Sequence, residues 1–318
     1  MPVPWNQLPR AEDFRRLLAE HGLAHLEERL LAVGELGVHL RKVGTTREQP
    51  RRPWLGILPR GAKRIFEPSP VELGGSRFGG LPDVPQGFEG PSIEGRPARF
   101  LLQLRCADLA AHAEHTLLPR DGMLWFFLGG TWNDYRACVV HRRELGALRT
   151  LPMPVEQRRA PKISSACGVR GELVLTVPDV WTKEFDSLGI RDEVDRETWL
   201  SERDRFGSWE EAWAAEQGLE ELIASGTRHQ IGGHAAPVQH DVRPEFFLAE
   251  RGQRWTRDQT LWRESEREID SWRLLLQVDS DDDLDFRWGD CGVLYFGMRA
   301  DDLRAERFER AAVTWQTS

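Results

Sequence analysis

The chain has 318 residues, 40% of them apolar, and 51 acidic against 43 basic side chains give a net charge of -8. That is enough apolar material for one large or two ordinary domains, while the acid excess argues against a general nucleic-acid binder, which would carry a basic domain. No apolar run approaches the roughly twenty residues of a bilayer span, and the opening "MPVPWNQLPRAEDF" lacks the basic-then-apolar order of a secretory leader. A cytoplasmic chain with no membrane partner is therefore expected.

Within residues 11–33 the apolar positions Phe14, Leu17, Leu18, Leu23, Leu26, Leu30 and Leu31 recur at three and four, which predicts a helix, or two meeting near Gly22. Residues 44–98 are rich in Pro, Gly and Arg and predict loops and short strands. Apolar runs at 99–109 and 122–130 read as strands. Residues 41–64 hold eight Lys or Arg against Glu48, and 184–221 hold thirteen acids against four arginines. Each is either a solvated face or a dock for a partner of opposite sign.

Helical spacing returns at 198–225, where Trp209, Ala212 and Trp213 share a face. Ser208 with Glu211 forms a capping box there, and Gly226 marks the stop. Strands are expected again at 271–278, 292–298 and 310–317.

The two strand-rich regions repeat one another in order. "SRFGGLPDVP" (76–85) matches "HQIGGHAAPVQ" (229–239), "FLLQL" (100–104) matches "LLLQV" (274–278), and "DGMLWFF" matches "DCGVLYF". Two related α+β halves follow. Each Gly-Gly pair permits positive φ or a close approach. Gln103 and Gln277 stand inside apolar strands, where an unpaired amide would be costly. Each is expected to tie down the backbone of its own Gly-Gly loop, or else to line a ligand pocket.

"SRFGGLPDVP", "FLLQL", "HQIGGHAAPVQHDVR", "LLLQVDSD", "WGDCGVLYFGM" and "DDLRAERFERAAVTWQ" together resemble the YwqG-like family, a bacterial family of unknown function, in order from about residue 76 to 318. The resemblance implies a mixed α+β fold of antiparallel sheet with peripheral helices and no established catalytic residues. Some relatives are encoded near secreted bacterial toxins, which implies toxin neutralisation as one role. The family pattern falls on Gly79, Gly80, Pro82, Pro85 and Gln103, then on His229, Gly232, Gly233, Gln239, Gln277, Asp279, Trp288, Gly289, Asp290 and Gly292. It departs at "GHAAPVQ", where an aromatic is expected after the Gly-Gly pair. The chain then divides into an N-terminal helical segment (1–43) and an α+β domain (44–318), with a first half to about 170, a helical insertion at about 180–226 and a second half from about 227.

Standard catalytic signatures fail on spacing. "GILPRGAK" (56–63) has Ala62 where a phosphate loop requires lysine, and no G-x-G-x-x-G, G-x-S-x-G or H-E-x-x-H is present. Cys106, Cys138, Cys167 and Cys291 form no C-x-x-C pair and read as isolated thiols. His112 and His115 could share a helix face. His229, His234 and His240 bracket the second Gly-Gly loop, where an imidazole near Asp241 could act as a general base.

In "LLLQVDSDDDLDFRWGDCGVLYF" (274–296), Asp279, Asp281 and Asp283 take positions 1, 3 and 5 of a calcium loop, with Asp290 at 12. Leu284 stands where that loop needs glycine, and both flanks read as strands. A β-hairpin connection is expected instead, its informative residues being Gln277, Asp279, Trp288, Gly289 and Asp290 and its extra aspartates solvated. A looser divalent-cation site at Asp279, Asp281 and Asp290 stays open. Two functions compete: a protein-binding module of adaptor or toxin-neutralising kind without an evident cofactor, and a metal-assisted hydrolase using Asp279 and Asp290 with His229. Oligomeric state is not readable.

Overall fold

The computed structural model describes residues 24–50, 62–130, 134–154, 165–179, 181–188, 229–254 and 256–317, with Arg15, Arg16 and Ala19. The helix expected at 198–225 and most of the acidic stretch 184–221 lie outside the described residues.

Fifteen strands are formed among the described residues: β1 (Glu35–Pro50), β2 (Ala62–Pro68), β3 (Arg77–Phe78), β4 (Asp83–Pro85), β5 (Ser92–Ile93), β6 (Arg96–Pro97), β7 (Arg99–Arg105), β8 (Met123–Gly129), β9 (Arg136–Arg142), β10 (Leu148–Thr150), β11 (Cys167–Thr176), β12 (Gln230–Gly232), β13 (Trp272–Asp279), β14 (Val293–Arg299) and β15 (Ala312–Gln316). Short helices accompany them: α1 (Glu27–Val33), α2 (Ala113–Thr116), α3 (Lys183–Asp186), α4 (Arg243–Glu250), α5 (Gln259–Arg267) and α6 (Ala300–Arg304). The fold is thus mixed, with few helices and antiparallel pairing throughout the main sheet.

β1 and β11 form the centre of that sheet, with Leu40 opposite Gly171. The sheet runs β15-β14-β13-β12-β1-β11-β3-β7-β8-β9, and β2 adds to the far end of β1. On one side Arg77 faces Gln103, which faces Trp125; on the other Gln230 faces Gln277, which faces Tyr295. Register breaks fall between Phe100 and Leu102 and between Leu274 and Leu276. β8 is an unbroken apolar run because both of its faces are covered.

The two wings turn toward one another over a common core. Phe126 of β8 meets Phe296 of β14 edge-on at 5.6 Å, and Val38, Phe78, Leu102 and Leu276 are fully buried in the same cluster. Burying each such side chain stabilises the fold by about 1.5–3 kcal/mol. The outer faces are covered differently. The β4–β10 pair and the β5–β6 hairpin accompany a cluster of Val84, Ala98 and Trp125, whereas Val242, Phe246 and Phe247 from the α4 region pack with Trp272, Val293 and Tyr295. Pro244 at the start of α4 supplies no N–H to be orphaned, and Asp258 caps α5 by accepting Thr260 N and Leu261 N.

β1 runs through the boundary expected at residues 43 and 44: Glu35–Val43 pair with β11, and Gly44–Pro50 pair with β2. The segment before the α+β domain is therefore helical only up to Val33 among the described residues. No described helix is long and apolar enough to cross a membrane.

Candidate functional site

The acidic stretch is the connection between β13 and β14. Asp281 and Phe286 exchange backbone hydrogen bonds of 2.9 and 3.0 Å across it, and Leu284 is buried beneath. Trp288, also buried, donates its indole N–H to Asp279 O (3.1 Å) and its backbone N–H to Ser280 Oγ (3.1 Å). Ser280 Oγ in turn donates to Gly292 O. Gly289 has φ +69°, and a Cβ there would come within 2.9 Å of Trp315. These contacts close a turn between antiparallel strands, so the frame of a helix-flanked calcium loop is absent from this segment.

One of the aspartates expected in solvent is instead buried. Asp281 is 2% exposed, and Lys42 Nζ stands 2.7 Å from its Oδ2 and 2.6 Å from Asp283 Oδ2. His229, 3% exposed, places Nε2 3.1 Å from Asp281 Oδ2 while its Nδ1 accepts the Asp279 backbone N–H (3.2 Å). That acceptor role puts the ring proton on Nε2, facing the carboxylate. Phe78 lies against the imidazole at 4.6 Å, and Phe66 lies under the Lys42 ammonium at 5.0 Å. Burial raises the Asp281 carboxyl, but the His229 hydrogen bond and the Lys42 charge outweigh it and hold the group well below the ordinary carboxylate range.

His229, Asp279 and Asp281 are thus brought together, and Lys42, which sequence reasoning left in a basic patch, completes the group. A signal for Lys42 was present: Leu36, Val38 and Leu40 alternate as buried residues, and continuing that period of two puts position 42 on the inward face. Asp290 exchanges its backbone N–H and O with the Thr317 hydroxyl, and Gln239 Nε2 donates to Thr317 O.

The two glutamines are buried and reach the loops that follow the glycine pairs. Gln103 Oε1 accepts Asp83 N (2.8 Å) and its Nε2 donates to Gly75 O (2.8 Å). Gln277 Oε1 accepts Ala236 N (2.9 Å). From the neighbouring strands Trp125 Nε1 donates to Asp83 O, and Tyr295 Oη donates to Ala236 O, each at 2.8 Å. Gly79, Gly80, Gly232 and Gly233 all have positive φ. In the first loop Asp83 also accepts from Arg77, Gly74 and Thr150, a network that sequence reasoning missed.

The other histidines turn to separate partners. His234 Nε2 lies 2.7 Å from Val33 O. His240 Nε2 lies 2.9 Å from Glu245 Oε1, which also accepts Gln316 Nε2. The Glu245 hydrogen bond raises the His240 imidazole above its ordinary range against the opposing effect of burial. His115 meets Glu114, and the imidazole of His112 is lowered by burial and by His115. Burial pushes the Cys106 thiol up to about 12 and the Cys167 thiol up to about 11, the reverse of nucleophile activation. Among the described residues, no group of three or more His, Cys, Asp or Glu is arranged to hold a metal ion.

Residues 76–317 match the model of a family described as Domain of unknown function (DUF1963). No curated protein matches the chain.

Proposed function

We propose, for a chain that belongs to the DUF1963 family, a cytoplasmic protein-binding module of adaptor or toxin-neutralising kind, built from two related halves and akin to the YwqG-like proteins. The matched registers and the paired bonds of Gln103 to Asp83 and Gln277 to Ala236 support the two-halves part of this reading. The binding part rests on one observation, the arm made by β1 and β2.

Past Val43, β1 leaves β11 and pairs with β2 alone among the described strands. Among the described residues, a two-stranded ribbon therefore extends beyond the sheet with no strand paired to either lateral edge, and such edges recruit strands unless they are blunted. The described strands of the ribbon contribute Arg47, Lys63 and Arg64 against Glu48 and Glu67, and the sequence that joins them, in a chain of net charge -8, adds Arg51, Arg52 and Arg60 with no acid. Concentrated opposite charge speeds encounter with an acidic partner and rejects a basic one.

The test is retention from host lysate on the immobilised full chain, beside a variant carrying Arg47→Glu, Lys63→Glu and Arg64→Glu. A discrete protein held by the natural chain, eluted by salt and missing from the variant supports the reading. Identical retention on both chains removes it.

A further inference from the structure

The two edges of the arm are not equivalent, and the hydrogen bonds at its base show how. Leu40 N donates to His229 O at 2.8 Å, so the even-numbered residues of β1 turn their backbone groups toward β12. Ser69 N donates to Val43 O at 2.9 Å, so the odd-numbered ones turn toward β11 and then β2. Carried along the arm, this alternation commits the backbone of Thr45, Arg47 and Gln49 to the opposite residues Glu67, Ile65 and Lys63. Gly44, Thr46 and Glu48 point their N–H and C=O groups the other way, where no described strand pairs with them.

On β2 the same alternation turns Ala62, Arg64, Phe66 and Pro68 outward, and Pro68, next to the sheet, has no N–H to give. The β1 edge keeps its donors from Gly44 to Glu48 and loses them only at Pro50. It also lies in line with β12, so a strand there would continue an existing ladder. Phe66, half-buried opposite Thr46, and Val43, exposed at the base, offer an apolar contact on either face. The charge at the base is spent, because Lys42 is held by Asp281 and Asp283 and Arg47 by Glu67. Farther out, Arg51, Arg52, Arg60, Lys63 and Arg64 stand in the sequence against Glu48. A basic edge repels a second copy of itself and favours an acidic strand.

We infer that the edge presented by Gly44, Thr46 and Glu48 takes an extended, acidic segment of a partner protein as a further strand in line with β12. Backbone hydrogen bonds hold the segment, and its acidic side chains lie toward the end of the arm away from β12. This inference rests on the reading of the arm as a binding surface and adds which edge binds and by which groups.

The test follows backbone amide exchange in the ¹⁵N-labelled full chain, with an end-capped peptide of alternating Glu and Val as the probe and its Lys-Val counterpart as control. In the free chain Gly44, Thr46 and Glu48 are expected to exchange at least about tenfold faster than Thr45 and Arg47. Equal protection of both sets means that the edge is filled from within the chain and overturns the proposal. The Glu-Val peptide is expected to slow Gly44 and Thr46 saturably, and the Lys-Val peptide is not. Thr46→Pro removes one outward donor without touching the β2 ladder and is expected to weaken Glu-Val binding about tenfold. Should that variant fail to fold, the exchange of Gly44 and Thr46 in the natural chain decides alone. No binding at millimolar peptide, or binding that leaves both amides fast, overturns the proposal. If such binding is lost in the charge-reversed variant, the arm attracts acid by charge alone and the arm reading survives. If the charge-reversed variant binds the Glu-Val peptide as the natural chain does, both fall.

Discussion

Lys42 Nζ lies 2.7 Å from Asp281 Oδ2, so a strand near the start of the chain neutralises the acidic turn between β13 and β14 from inside the fold. Removing Lys42 leaves a buried carboxylate that keeps only the His229 ring and the Asp283 backbone N–H, and breaking a buried pair costs about 3–5 kcal/mol. Lys42→Met is therefore expected to lower urea-unfolding stability by about that amount. Lys42→Met combined with Asp281→Asn is expected to recover a large part of the loss, because the orphaned charge is gone. A Lys42→Met chain within about 1 kcal/mol of the natural one would sink the account of Asp281 as a group held by its cation.

The same group predicts an acid limb. With its folded-state pKa depressed, Asp281 contributes stability that is fully present above the unfolded value, near about 4, and is lost as pH falls below it toward the folded value. The urea midpoint of the natural chain is expected to fall more steeply than that of Asp281→Asn as pH is lowered from about 5 to about 3. Parallel curves for the two chains would contradict it.

Much of this site was legible because strand period and glycine pairs are local signals. The apolar runs at 99–109, 122–130, 271–278, 292–298 and 310–317 contain β7, β8, β13, β14 and β15 within a few residues, since each buries side chains that alternation or a continuous apolar run announces. Gln103 and Gln277 stood out as amides among leucines. The Lys42–Asp281 contact did not, because it joins positions 239 residues apart and a lysine in a basic stretch reads as solvated. Helices α4 and α5 were also not anticipated. α4 buries Pro244, Phe246, Phe247 and Leu248 in a run with no single apolar stripe, so tertiary burial rather than periodicity sets it.

His240 predicts a dependence on the other side of neutrality. Its folded-state pKa is raised, chiefly by the hydrogen bond to Glu245, so its contribution is full below the unfolded value of about 6.5 and is lost as pH rises through the folded value. The side chain is 44% exposed, and solvent screening makes the effect small. The melting temperature of the natural chain is expected to decline slightly over that window relative to His240→Asn. A natural chain that gains on the variant as pH rises would reverse the sign and dispose of the His240–Glu245 pairing.

Divalent cations separate the binding reading from the hydrolase one. Lys42, His229 and the Asp283 backbone N–H already engage the Asp281 carboxylate, so a cation there must displace an ammonium group and a buried ring. Millimolar calcium, magnesium or manganese is therefore expected to leave the melting temperature unchanged. A rise with any of the three that disappears in Asp279→Asn would restore the metal-assisted hydrolase.

The second glycine pair gives a ranking that depends on geometry rather than residue type. Gly232 and Gly233 have φ +62° and +67°, so alanine at either is strained by about 1–2 kcal/mol. Beyond that they differ. A Cβ on Gly232 meets nothing closer than 3.5 Å, whereas one on Gly233 falls 2.5 Å from Thr176 Oγ1 and 3.2 Å from Gly37 Cα. Thr176 cannot swing aside cheaply, because its hydroxyl accepts His234 N and donates to Glu35 O. Gly233→Ala is expected to lose at least about 1 kcal/mol more than Gly232→Ala in urea unfolding. Equal losses would mean that the loop moves off β1 and β11 without penalty, and the close approach would then not be what requires glycine at position 233.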